Sequence, residues 1–200
     1  MKNTSASVVH YHLPGLFEFY ELYRLFLPLF YAHREYFYDW CDIGSIYGAP
    51  SDCLWGGGRA AFGNASVKDV IALVNEYNIS ARLTFSNSLL TKEHLADTQC
   101  NALCKMFQHT KNASGVIVHS DLLAEHLKNN FPSLYLVSST TKVLTDFESL
   151  NTELNRQDFS LQAKTYNRQK HSVHDNDAQQ HLHQDFYGLH FRNKPYVLCM

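Results

Sequence analysis

Two hundred residues, of which 45% are hydrophobic and 18% charged, are enough for one folded domain or part of a larger one, and they exclude wholesale disorder. Seventeen Lys and Arg stand against nineteen Asp and Glu. With no basic block to neutralise a run of phosphates, nucleic acid is not expected as a partner. Five cysteines (Cys41, Cys53, Cys100, Cys104 and Cys199) make no CxxC pair, and the N-terminus carries no leader pattern, so a reduced, cytoplasmic protein is expected.

Residues 1–14 read as an N-terminal extension. Gly15 to Phe37 reads as an aromatic-rich helix with Pro14 just ahead of it and Pro28 as a kink, buried over a wide face. Glu18, Glu21, Arg24 and Arg34 interrupt its apolar run, so no membrane span is expected. Trp40 to Tyr47 suits a strand. Ser66 to Tyr77 follows as a helix, with Ser66 and Asp69 placed to serve its first turn. Ala81 to Phe85 is the next strand and Thr91 to Gln108 the next helix. Gly115 to Val118 is a third strand, leading into a helix from Asp121 to Asn130 capped by Ser120. Leu134 to Val137 is a fourth strand. A helix from Asp146 to about Asn155 follows, where Thr145 and Glu148 suit a capping box. Phe159 to Ala163 is a possible fifth strand.

Strands alternating with helices at this spacing specify an α/β fold with parallel βαβ units, either a partial (half) TIM-type barrel or an open parallel sheet. The domain is expected to span residues 15–160. Beyond it, residues 161–200 form a His/Gln-rich tail with too few large aliphatic side chains to stay ordered. The tail's histidines show no repeating spacing and no accompanying ligand pair, so no metal centre is expected. No GxGxxG or GxxxxGK[ST] motif occurs, so neither dinucleotide nor P-loop binding is supported, and the sequence names no cofactor. Gly56, Gly57 and Gly58 read as a flexible loop rather than a phosphate cradle.

In parallel α/β folds ligands meet the carboxyl ends of the strands. That rule selects Tyr47 and Arg59 after the first strand, Asn87 after the second, His119 after the third, and Thr140 and Lys142 after the fourth. Arg59 and Lys142 could clamp a small anionic ligand; equally, Arg59 could anchor its loop to Asp42 or Asp52, and Lys142 could be solvated. His119 could serve as a base or as a structural hydrogen-bonding residue. Asp42, inside a strand, needs a basic or backbone partner. Cys100 and Cys104, one helical turn apart with His94 and Asp97 ahead of them, suit core packing better than metal binding. No catalytic residue can be assigned.

The stretches IYGAPSDCLWGGGR (Ile46 to Arg59), ARLTFSN (Ala81 to Asn87), GVIVHSDLLAEHLKNNFP (Gly115 to Pro132) and LVSSTTKVLTD (Leu136 to Asp146) resemble an uncharacterised bacterial (β/α)-barrel family distantly similar to the U32 collagenase-like peptidases. The resemblance covers roughly Tyr36 to Asn155. It implies a barrel that binds a small or peptide-like ligand at the strand ends. The glutamate-centred U32 signature, followed by closely spaced cysteines that hold an iron–sulfur cluster in some relatives, has no counterpart here. The chain reads as the N-terminal half of such a barrel with an unrelated tail, as truncation or a frameshift would produce. A non-catalytic fragment or interaction module, self-associating through an incomplete sheet edge, is the alternative.

Overall fold

Capped helices return the chain to the start of each new strand, and the product of that repetition is a parallel sheet. The computed structural model describes residues 8–57, 65–159, 161–162 and 197–199. Along them run β1 (Val9–Pro14), α1 (Tyr20–Ala32), β2 (Cys41–Gly48), α2 (Val67–Glu76), β3 (Ser80–Phe85), α3 (Thr98–Phe107), β4 (Gly115–Val118), α4 (Asp121–Asn130), β5 (Tyr135–Ser138), α5 (Phe147–Leu154), β6 (Leu161–Gln162) and β7 (Val197–Cys199). The strands make one sheet in the order β6-β5-β4-β3-β2-β1-β7, with every pair parallel. From β1 to β6 they are added in chain order, without the reversal that marks a doubly wound sheet. With β7 beside β1, the strands stand in the cyclic order of a barrel whose β6–β7 join is unpaired among the described residues.

Side-chain caps set the starts of α2 to α5. Ser66 Oγ accepts from Asp69 N and donates to Asp69 Oδ2 at 2.7 Å, opening α2. Ser120 opens α4 through Leu123 N. At α5 the cap is Asp146, which accepts from Ser149 N at 2.7 Å, in place of the expected Thr145. The long helix expected from Thr91 begins only at Thr98. Asp97, whose carboxylate takes the N–H of Cys100 at 2.7 Å, stops a short 3-10 turn (Glu93–Ala96) from merging with α3.

Two expectations at the N-terminal side need correction. Residues 9–14 are β1, paired with β2 and so part of the domain rather than an extension before it. The aromatic helix is shorter than expected because Gly15 takes a positive φ of 79° and Leu16 N still bonds Tyr47 O, prolonging the ladder at 3.0 Å. Its buried stripe is narrow, formed by Tyr23, Leu27 and Phe30. Leu22, Leu25 and Leu29 remain exposed. The disorder expected of residues 161–200 does not hold at Leu161–Gln162 and Val197–Cys199, which are strands β6 and β7; the rest of that tail lies outside the described residues.

Winding in one direction stacks the helices on one face of the sheet. There Ile46, Leu83, Phe85, Val116 and Val118 meet Leu27, Val70, Phe107 and Leu127 in a single core. Trp55, fully buried, closes one end of it. Its ring meets Phe85 edge-on at 5.3 Å, and its Nε1 donates to His94 O at 2.8 Å. The loop after β2 is thereby tied to the segment entering α3. No helix among the described residues is long and apolar enough to cross a membrane.

Candidate functional site

Residues two apart on a strand share a face, and residues in register across a parallel pair share it too. The face opposite the helices is therefore read off the register. Its first row is His12, Ser45 and Ser80; the next is Pro14, Tyr47, Arg82, Gly115 and Tyr135; the third is Thr84, Ile117 and Val137. Where the helix-covered face is apolar, this one carries His12, Ser45, Ser80, Arg82 and Thr84, all buried. An arginine only 4% exposed is uncommon without a carboxylate partner, and among the described residues no ion pair joins one to Arg82.

A directed chain of hydrogen bonds holds Arg82. Ser80 Oγ donates to Ala113 O at 2.7 Å, so Tyr135 is the donor across the 2.6 Å to Ser80 Oγ. Tyr135 in turn accepts from Arg82 Nε at 2.8 Å. To reach Arg82 on β3, the Tyr135 ring must lie across β4, and Gly115 allows it. A Cβ there would sit 2.6 Å from Tyr135 Cδ2, closer than packed carbons come.

His12 supplies the second cluster. Its Nδ1 lies 2.6 Å from Ser45 Oγ, and the extra residue that shifts the β1–β2 register here is Gly44. A Cβ on Gly44 would meet His12 Cε1 at 2.8 Å, so the bulge is what admits the imidazole. Burial, then the charge of Arg82, then His10, hold His12 down to about 4, so it is neutral at physiological pH. Among the described residues its buried Nε2 finds no hydrogen-bond partner, and neither does Thr84 Oγ1 on the same face. Beside it, Asp42 has the two partners its position demands: Oδ1 accepts from Ile43 N at 2.8 Å, and His10 Nδ1 is 3.8 Å from Oδ2.

The strand-end residues expected from the sequence fall into three groups. Tyr47 joins the polar face in register with Arg82. Asn87, His119 and Thr140 follow β3, β4 and β5 at the same edge, since those strands run parallel. Asn87 clasps the loop after β2: its Nδ2 donates to Leu54 O at 3.0 Å, and its Oδ1 accepts from Leu89 N at 2.9 Å. His119 Nδ1 is 2.9 Å from Thr141 Oγ1, so Thr141 rather than the exposed Thr140 is its neighbour. Arg59 lies outside the described residues.

Lys142 is not the free positive charge expected of it. Its side chain is 11% exposed, and its Nζ reaches Glu153 Oε1 at 2.7 Å and Asp121 Oδ1 at 3.3 Å. Arg156 completes the network through Asp121 at 2.6 Å and Asp158 at 2.9 Å, and its guanidinium lies 4.4 Å from the Phe159 ring centroid. Burial raises the Asp121 carboxyl, but the Arg156 bond and the Lys142 charge more than offset it; Glu153 is likewise lowered against burial, chiefly by Lys142 and Ser138. The network pins α5 to α4 and the end of β5, which is a clasp rather than an anion site.

Cys53 and Cys100 meet in the core with their sulfurs 3.2 Å apart, and Cys104 is buried one turn further along α3. No group of three or more His, Cys, Asp or Glu among the described residues could hold a metal ion.

Sequence reasoning overlooked Arg82, His12 and Tyr135. The available signal was alternation: SARLTF and VHYHLP place Ser, Arg, Thr and His at every second position.

No protein-family model matches the chain, and no curated protein matches it. Among solved structures, that of the U32 peptidase Mk0906 aligns with a TM-score of 0.48 at 14% identity, covering 75% of this chain and 56% of that one. The chain thus spans little more than half the length of that protein.

Proposed function

We propose that this chain is a U32 peptidase-like partial barrel that binds a small or peptide-like anionic ligand, entering from the carboxyl ends of the strands. The observation that carries the reading is Arg82: a buried guanidinium, oriented through Nε by Tyr135 and without an ion-pair partner among the described residues. A carboxylate on the ligand would take its terminal N–H groups as a two-pronged acceptor. His12 Nε2 and Thr84 Oγ1, polar atoms on the same face without a partner among the described residues, would gain partners when the ligand binds. Tyr47 would line the path beside Arg82, with Asn87, His119 and Thr140 at its entrance. Neutral His12 adds no second charge, so one carboxylate group is the unit recognised. No catalytic residue is assigned.

NMR titration with N-acetyl-alanyl-alanine and with its carboxamide tests this. Shifts at the Arg82 guanidinium and the His12 ring with the acid alone are expected; equal responses to acid and amide would refute carboxylate recognition.

A second reading, an interaction module, is favoured by one feature: Leu22, Leu25 and Leu29 of α1 are 58%, 67% and 56% exposed, an apolar stripe that a second copy would cover. Light scattering across a concentration series decides it, since a strict monomer excludes self-association.

A further inference from the structure

We propose that Cys53 and Cys100 are a modification site: peroxide converts them to a reversible disulfide that staples the loop after β2 to the first turn of α3. The two residues are 47 positions apart in sequence, yet their sulfurs lie 3.2 Å apart. A disulfide needs about 2.05 Å, so closure asks for roughly 1 Å of movement. Both segments are already held in place. Trp55, two residues after Cys53, donates to His94 O at 2.8 Å, and Asp97 fixes the Cys100 amide at 2.7 Å. Cys104, also buried, sits a full turn further along α3.

The environment divides the roles of the two sulfurs. The thiol of Cys100 hydrogen-bonds to Cys53 and, with N–H groups of Gly56 and Trp55, lowers the Cys53 thiol against its burial. The same bond, followed by burial, raises Cys100, and burial raises Cys104. Cys53, 6% exposed against 1% for Cys100, is the sulfur that peroxide reaches first. Its thiolate attacks one oxygen of hydrogen peroxide; the O–O bond breaks, and Cys53 becomes a sulfenic acid as hydroxide leaves and takes up the thiol's proton as water. The Cys100 sulfur then attacks the Cys53 sulfur, expelling hydroxide, which leaves as water with the Cys100 proton. Two thiols and one peroxide give one disulfide and two waters, with two electrons passing from sulfur to oxygen. A thiol reductant reverses it.

The full chain is treated with hydrogen peroxide, alkylated under denaturing conditions and mapped by mass spectrometry without reduction. The expected product is a Cys53–Cys100 cross-linked peptide that dithiothreitol removes. Because the closed ring is long, Tm should rise by at least about 5 °C. Cys53→Ser and Cys100→Ser should abolish both the cross-link and the rise, and Cys104→Ser should keep both. A dominant cross-link through Cys41, Cys104 or Cys199 would overturn the proposal. So would over-oxidation of Cys53 without any cross-link; the mapping of the unmutated chain decides this even if a variant fails to fold.

Discussion

Replacing Tyr135 by Phe removes one oxygen and no packing volume, so it isolates the hydrogen bonds that hold Arg82. Ser80 keeps its acceptor, Ala113 O at 2.7 Å, and is left satisfied. Arg82 Nε loses the oxygen it donates to at 2.8 Å, inside a residue only 4% exposed. A buried donor on a charged group left without an acceptor costs roughly 1.5–3 kcal/mol, and about 2 kcal/mol is expected here. Urea denaturation followed by circular dichroism reads this directly. In an Arg82→Met background the orphaned donor no longer exists, so the same change should cost less by at least about 1 kcal/mol. Equal costs in the two backgrounds would show that Tyr135 does not orient Arg82.

Lys142→Met should lower stability by about 2 kcal/mol, between the exposed and fully buried limits for an ion pair, by leaving Glu153 and Asp121 without their shared cation; chemical denaturation measures it, and a loss below about 0.5 kcal/mol would remove the clasp. His12 resists protonation in the fold, with its value lowered from 6.5 to about 4. The unfolded chain therefore binds more protons in that window, and stability falls as pH drops from about 6.5 to about 4, by about 3 kcal/mol in all. Denaturation midpoints across that range should show this slope in the wild type and a shallower one in His12→Leu. Val143, a β-branched residue at φ 47°, pays for a left-handed conformation, so Val143→Gly should raise stability by roughly 1 kcal/mol, and an unchanged or lower midpoint would count against strain there.

Local signals account for what was legible. GVIV followed by Ser120 and a capped turn places β4 and α4 with the expected boundaries, because a short apolar run and a good cap leave little choice. β1 was missed since His10 and His12 break its apolar pattern, although they do so at period two. The α1 stripe misled in the opposite sense: leucine content implied wide burial, but Tyr23, Leu27 and Phe30 alone are fully buried there, while Leu22, Leu25 and Leu29 stay exposed. Tyr135 reaching across Gly115 to Arg82, and Lys142 lying between Glu153 and Asp121, are contacts made by the tertiary fold. No spacing in the sequence announces these contacts, so a lysine at a strand end read as free, whereas the buried arginine lay on a legible period-two pattern, Ser80, Arg82 and Thr84, that was left unread.

The measurement closest to the central claim is the dissociation constant of N-acetyl-alanyl-alanine, by titration calorimetry, for the wild type and for Arg82→Met at a temperature where both are folded. Losing a charge-assisted bond worth ~2 kcal/mol should weaken binding about 30-fold, with the carboxamide binding the wild type as weakly as the acid binds the variant. The same constant for both proteins would contradict a carboxylate site built on Arg82.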